Sequence, residues 1–188
     1  MEMRRMGLSK AEKVLKEIEE EAKMGRLPHS IVGPFRGQIL VEVIRKTKPK
    51  RVLEIGTLVG YSAILMGKEL NSDAHLITIE KDANSAKIAR ENIRRAEIPP
   101  TVEVLVGDAL EVIPKLEGTF DLVFIDAEKS EYLNYLQLVE DKLHKGSVVI
   151  ADNVDYAPDY LDYVRHSGRY ISKYVPAGAG GVEISVKL

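Results

Sequence analysis

Residues 51–62, with the sequence R-V-L-E-I-G-T-L-V-G-Y-S, constrain the fold more than any other part of the chain. The apolar first half is typical of a buried strand, and Gly56 and Gly60 follow where a helix is expected to begin. A glycine turn lets the backbone approach a ligand closely, and the N–H groups of the next helix point into the same space. The segment therefore predicts one strand–turn–helix unit of a nucleoside-binding α/β sheet.

The spacing of the two glycines and the acidic residue before them discriminate between cofactors. Dinucleotide-binding turns usually read G-x-G-x-x-G, whereas this chain reads E-x-G-x-x-x-G from Glu54 to Gly60. A carboxylate at this point would repel a phosphate, but it suits the ammonium and sulfonium groups of S-adenosylmethionine (SAM). The pattern favours SAM over a nicotinamide dinucleotide.

The order of the remaining segments predicts the fold class. We expect helices at residues 10–23 and 37–46, separated by a linker that runs through Pro34. Apolar strands at 52–55, 76–79, 102–106, 122–125 and 148–151 then alternate with helices at 62–70, 83–96, 110–116 and 131–143. A helix near 158–166 and strands near 170–175 and 182–186 follow, the strands joined by a glycine-rich turn at 177–181. The sequence predicts an α/β, Rossmann-like doubly wound sheet, mostly parallel, with a C-terminal antiparallel hairpin and helices on both faces.

Length and composition narrow the class further. The 188 residues fit a single domain over 1–188, in which 1–35 form an N-terminal helical extension and linker. The chain has no cysteine, which excludes disulfides and thiolate metal sites, and its net charge of −2 weakens the case for nucleic-acid binding. No apolar run reaches the length of a membrane span, so we expect a cytoplasmic protein without membrane contact.

Each predicted parallel strand ends in or near a carboxylate, at the edge of an α/β sheet where ligands bind. Glu80, 24 positions after Gly56, can accept hydrogen bonds from the ribose hydroxyls of an adenosine cofactor, or it can serve the start of the next helix. Asp108, followed by Ala109, can read an adenine ring or cap the helix after it. The residues alone leave both pairs of alternatives open.

Oxygen ligands also follow the last two parallel strands. Asp126, Asp152 and Asn153 would provide two carboxylates and an amide oxygen, which suit Mg²⁺ or another hard divalent cation and not zinc. Alternatively, each of these three residues caps a turn and none binds a metal. Lys129 lies three residues after Asp126, where a nearby cation would favour its neutral form and make it a usable general base; an exposed surface lysine is the alternative.

With these residues assembled, the chain resembles the cation-dependent O-methyltransferases, a family that includes catechol and caffeoyl-CoA O-methyltransferases. The resemblance runs from about Val32 to the C-terminus. It rests on Gly37-Gln38, the L-E-I-G-T-x-x-G-Y-S pattern at 53–62, the F-I-D-A-x-K pattern at 124–129, the pair Asp152-Asn153, and the G-V-E-I-S strand at 181–185.

The resemblance implies a SAM- and divalent-cation-dependent O-methyltransferase that methylates a hydroxyl of a small, catechol-like acceptor with vicinal oxygens. Lys129 would be the catalytic base, and Asp126, Asp152 and Asn153 would bind the cation, most simply Mg²⁺. Homodimerisation is implied as well. The cofactor would be bound by Val32, Glu54, Gly56, Thr57, Gly60, Tyr61, Ser62, Glu80, Asp108, Ala109 and Asp126.

The chain departs from the family pattern on the acceptor side. It has no tryptophan to flank a catechol, and the segment after Asn153 is short. Some relatives methylate hydroxylated uridine in tRNA, and an open acceptor pocket would admit a nucleotide, although the near-neutral net charge argues against it. A nicotinamide-dependent Rossmann oxidoreductase is the alternative of another class.

Overall fold

The computed structural model describes residues 7–188, so residues 1–6 of the expected N-terminal extension lie outside it. The helices are α1 (Lys10–Lys23), α2 (Gly33–Thr47), α3 (Tyr61–Gly67), α4 (Ala83–Ala96), α5 (Ala109–Val112), α6 (Tyr132–Val139) and α7 (Pro158–His166). The strands are β1 (Arg51–Ile55), β2 (His75–Glu80), β3 (Thr101–Val106), β4 (Phe120–Ile125), β5 (Leu143–Ala151), β6 (Tyr170–Val175) and β7 (Val182–Lys187).

A seven-stranded sheet with the order β3-β2-β1-β4-β5-β7-β6 organises the molecule. The strands from β3 to β5 are parallel, whereas β7 pairs antiparallel with both β5 and β6. The chain reverses its direction of winding between β1 and β4, which is the switch point where open α/β sheets bind ligands. The structure confirms the predicted doubly wound sheet with its antiparallel hairpin.

Helices cover both faces of the sheet. Alternate side chains of each strand point to opposite faces, so Val52 packs under α1 to α4 while Leu53 packs under α5 to α7. The N-terminal helix α1 begins with a capping box between Ser9 and Glu12 and buries Val14, Leu15 and Ile18. Within residues 7–188, none of the helices combines the length and hydropathy that a membrane crossing would need.

Several element boundaries differ from the expectation. The helices α3, α5 and α6 end at Gly67, Val112 and Val139, three to four residues before their predicted ends. Two other differences have a visible cause. The second helix begins at Gly33 and includes Pro34, which we expected in a linker; proline fits the first helical turn because its missing N–H has no partner there. The last parallel strand begins at Leu143, where a helix was expected to end. Ser147 explains this early start, since its hydroxyl donates to the carbonyl of Phe120 at 2.7 Å and accepts from the N–H of His144 at 3.0 Å.

Candidate active site

A cavity of about 600 Å³ opens at the carboxyl ends of the parallel strands. Its wall includes the turn after β1, the ends of β2 and β3, and the segment that follows β4. The predicted site residues in this wall are Val32, Gly56, Thr57, Tyr61, Ser62, Glu80, Asp108, Ala109, Asp126, Lys129 and Asn153. Three other predicted residues, Glu54, Gly60 and Asp152, lie behind the wall and not in it.

The turn after β1 depends on Gly56. Its φ of 100° is a conformation that side chains disfavour, and its N–H donates to the carbonyl of Ile79 at 3.0 Å. A Cβ at this position would overlap the backbone carbonyl oxygen of Asp126. The close approach of the ends of β1 and β4 therefore requires glycine here, and Gly56 lines the cavity.

Glu54 occupies a different place from the one we expected. Its carboxyl group is fully buried and accepts hydrogen bonds from the hydroxyls of Ser62 and Thr78, the latter at 2.7 Å. Burial raises the pKa of Glu54 to about 8, so the carboxyl is largely protonated at neutral pH. The structure places Glu54 behind the turn and not in the cavity wall, and its contact with the cofactor stays a prediction.

Glu80 lies at one end of the cavity with its carboxylate held by backbone N–H groups. Leu58 donates to one oxygen at 2.6 Å and Asp82 to the other at 2.9 Å. The N-cap of α4 is Asp82, which accepts from Ser85 at 2.8 Å, so Glu80 does not cap that helix. Each Glu80 oxygen keeps a further lone pair for a ligand hydroxyl, and ribose binding stays a prediction.

Asp108 caps the helix that follows it and also lines the cavity. Its side chain caps α5 by accepting from the N–H of Leu110 at 3.0 Å, and it pairs with Lys81 at 3.2 Å. The backbone hydrogen bond, and then the lysine, hold the pKa of Asp108 below its ordinary range. Ala109 lines the cavity beside it, and adenine recognition by Asp108 and Ala109 stays a prediction.

The three expected metal ligands come together at the neighbouring ends of β4 and β5. Burial raises the pKa of Asp152, and the nearby charge of Asp126 raises it further. Asn153 adopts a left-handed conformation with φ of 53°, which asparagine tolerates, at the start of the next turn. Within residues 7–188 no cluster of three His, Asp or Glu side chains forms a metal site, so this set depends on its amide oxygen. Two carboxylates and an amide fit a hard divalent cation.

Arg36 is a residue of this site that the sequence did not indicate. From the first half of α2 its Nη1 contacts both carboxylate oxygens of Asp152, at 3.2 and 3.3 Å, and also the side-chain oxygen of Asn153. The remaining guanidinium nitrogens donate to the carbonyls of Ala177, at 2.8 Å, and of Ala179. An arginine in an amphipathic helix is usually solvated, and no local signal marked this one.

Lys129 is not a solvated surface residue. Its Nζ lies 3.0 Å from a carboxylate oxygen of Asp126, 3.1 Å from the carbonyl of Ala127 and 2.8 Å from the hydroxyl of Tyr132. That hydroxyl donates in turn to the backbone carbonyl of Asp152 at 2.8 Å. Tyr132, which the sequence did not indicate either, therefore links the lysine to the neighbouring strand end.

The segment before α2 also lines the cavity. His29, Ser30 and Ile31 line it beside Val32, and Tyr135 of α6 lines it from the opposite face of the sheet. Only Val32 of these residues was expected at the site. The positions of His29, Ser30 and Ile31 depend on how the N-terminal segment packs against the sheet, and no sequence pattern predicts that packing.

Comparisons with known proteins agree with this geometry. A family model described as O-methyltransferase matches residues 6–165. Catechol O-methyltransferase from Bos taurus is 35% identical to this chain over an alignment 190 residues long. The alignment covers 88% of this chain and 70% of that protein. The O-methyltransferase from Bacillus cereus, solved in complex with SAH, has a TM-score of 0.83 at 26% identity, covering 98% of this chain and 94% of its own. The O-methyltransferase TomG from Streptomyces achromogenes, solved in complex with SAM, has a TM-score of 0.81 at 26% identity, covering 93% and 89%.

Proposed function

Because the chain belongs to the O-methyltransferase family, we propose that it transfers a methyl group from SAM to a hydroxyl of a small acceptor with vicinal oxygens, such as a catechol. We further propose that the transfer depends on a divalent cation, most simply Mg²⁺, bound by Asp126, Asp152 and Asn153. Family membership leaves no support for the oxidoreductase alternative.

One observation carries the proposal. A single cavity is lined at one side by Glu80 and Asp108 and at another by Asp126, Lys129 and Asn153. The first pair suits the ribose and adenine of a nucleoside cofactor, and the second group suits an acceptor oxygen beside a cation. A cofactor and an acceptor bound to these two groups share one enclosed volume, as methyl transfer requires.

The roles of the chain's own residues follow from their contacts. Glu80 and Asp108 orient the cofactor, and the Gly56 turn gives it close access to the backbone. Lys129 Nζ takes the proton from the acceptor hydroxyl, and Tyr132 keeps that nitrogen in place. When bound, SAM supplies the methyl group and the divalent cation favours the ionised form of the acceptor hydroxyl.

The number of expected metal ligands supports an acceptor with vicinal oxygens. Asp126, Asp152 and Asn153 provide three side chains, whereas hard divalent cations take six or more oxygen ligands. Two adjacent hydroxyl oxygens on one acceptor would fill two of the remaining positions, with Lys129 available to take the proton of one of them. An acceptor with a single hydroxyl, or with two distant ones, would provide only one of these ligands and leave the other position to water.

An isomer panel tests the proposal. Methyl transfer from labelled SAM should be measured with catechol, its meta isomer resorcinol and unmodified or hydroxyuridine-containing tRNA, each with Mg²⁺ and with chelator. We expect transfer to catechol that chelator abolishes, and little transfer to resorcinol. Equal transfer to both isomers would contradict chelation, and transfer unaffected by chelator would contradict cation dependence.

Transfer to hydroxyuridine-containing tRNA alone would favour the nucleotide alternative. The glycine-rich turn at 177–181, between β6 and β7, is held by Arg36 beside Asp152 and Asn153. Homodimerisation, the cytoplasmic compartment and the single domain over 1–188 stay predictions.

A further inference from the structure

Arg36 connects three parts of the molecule at the expected cation site. Its side chain is 16% exposed and extends from α2 to the strand end at Asp152 and Asn153, and from there to the glycine-rich turn. An arginine that served only to brace the turn would not need the metal ligands. One that served only to neutralise Asp152 would not need the carbonyls of Ala177 and Ala179.

The position of one nitrogen atom is informative. Arg36 Nη1 is almost equidistant from the two oxygens of Asp152, at 3.2 and 3.3 Å, and it contacts the Asn153 oxygen as well. It therefore lies where three oxygen atoms of the expected metal ligands converge. A divalent cation bound by the same oxygens would occupy the same region and would repel the guanidinium.

We propose that Arg36 is an internal counter-cation that competes with the divalent cation for Asp152 and Asn153, so that cation binding releases the glycine-rich turn. This inference rests on the proposed function, because it assumes that these residues bind a cation. The turn would respond because the same guanidinium holds its Ala177 and Ala179 carbonyls. Cation loading would then be coupled to opening on the acceptor side of the site.

Three variants separate charge from tethering. Arg36→Gln removes the positive charge and keeps a hydrogen-bond donor, whereas Arg36→Lys keeps the charge and loses the planar fork that reaches both carbonyls. Arg45→Gln is the matched control, because Arg45 lies on the same helix, is exposed and pairs with Glu69 away from the site. Mn²⁺ binding is measured for each by electron paramagnetic resonance of the free ion.

Competition predicts a definite order of affinities. Arg36→Gln should bind Mn²⁺ at least about tenfold more tightly than wild type, since a charge-assisted contact no longer has to be broken. Arg36→Lys and Arg45→Gln should stay within about twofold of wild type. Unchanged or weaker binding by Arg36→Gln would overturn the inference. An equal increase in Mn²⁺ affinity in Arg36→Lys and Arg36→Gln would also overturn it. The cause would then be the lost hydrogen bonds to the turn and not the lost charge.

Hydrogen exchange of the turn provides a second measurement. Mn²⁺ should increase deuterium uptake of a peptide covering residues 176–181 in wild type, and unchanged uptake would contradict the release. Asp152→Asn shows whether Mn²⁺ binds at the expected site. If Asp152→Asn loses Mn²⁺ binding but the Arg36 variants bind Mn²⁺ with the affinity of wild type, only this inference is overturned. Binding to neither wild type nor Arg36→Gln would overturn the cation dependence as well.

Discussion

The buried carboxyl group of Glu54 leads to a quantitative prediction about stability. It is fully buried beneath the turn after β1 and accepts hydrogen bonds from the hydroxyls of Ser62 and Thr78. The change to test is Glu54→Gln. Glutamine has nearly the same shape and offers an oxygen to one hydroxyl and an N–H to the other, because hydroxyls also accept. The variant keeps the packing and loses only the ability to ionise.

The magnitude follows from the raised pKa. The folded chain holds the Glu54 proton until about pH 8, whereas the unfolded chain releases it near the ordinary value of 4.5. The stabilisation from this proton is complete below pH 4.5 and is lost as the pH rises through 8. At about 1.4 kcal/mol per pH unit, wild type should lose about 3 to 5 kcal/mol relative to Glu54→Gln between pH 5 and pH 9.

Urea unfolding followed by circular dichroism measures this loss at pH 5, 7 and 9, since the chain has no tryptophan for fluorescence. Glu117→Gln, which removes an exposed carboxylate, corrects for the change in net charge. The stability difference between Glu54→Gln and wild type should widen with pH in favour of the variant. A difference that stays constant from pH 5 to pH 9 would refute the reasoning about Glu54.

Three further predictions concern the turn and the base. Tyr132→Phe should lower kcat about 10- to 100-fold with little change in KM, because Lys129 loses the hydroxyl that positions its Nζ; an unchanged kcat would exclude that role. Lys129→Met should lower kcat at least about 100-fold while SAM affinity, measured by calorimetry, stays within about twofold; near-normal turnover would exclude it as the base. Gly56→Ala should cost about 2 to 4 kcal/mol of stability in urea unfolding and weaken SAM binding, because its Cβ would overlap the Asp126 carbonyl; a variant that folds and binds like wild type would contradict this packing.

Local patterns in the sequence predicted most of the fold. The bounds of α1 and α4 agree with the structure because apolar periodicity and capping residues such as Asp82 act over a single turn. The start of α2 was wrong because Pro34 was interpreted as an interruption, although it lies in the first turn where proline is accepted. The early start of β5 depends on Ser147 bonding to Phe120, a contact between residues 27 positions apart.

Site residues that directly follow a parallel strand could be predicted from the sequence. Asp126, Lys129 and Asn153 line one cavity because strand ends of a parallel sheet share one edge. The burial of individual site residues and their long-range contacts were not predictable. Glu54 lies behind the wall because the turn folds over it, and Arg36 reaches Asp152 across 116 positions through the return of α2 to the sheet. The spacing of residues in the sequence indicates neither the burial of Glu54 nor the contact between Arg36 and Asp152.

The central claim is that Asp126, Asp152 and Asn153 hold a cation that presents an acceptor hydroxyl to Lys129. Its most direct test is a crystal structure of the protein with S-adenosylhomocysteine, Mn²⁺ and catechol, with anomalous scattering used to locate the manganese. We predict a manganese peak within ligand distance of these three side chains, both catechol oxygens bound to it, and one of them within hydrogen-bond reach of Lys129 Nζ. Manganese bound elsewhere, or catechol bound away from the ion, would contradict the account.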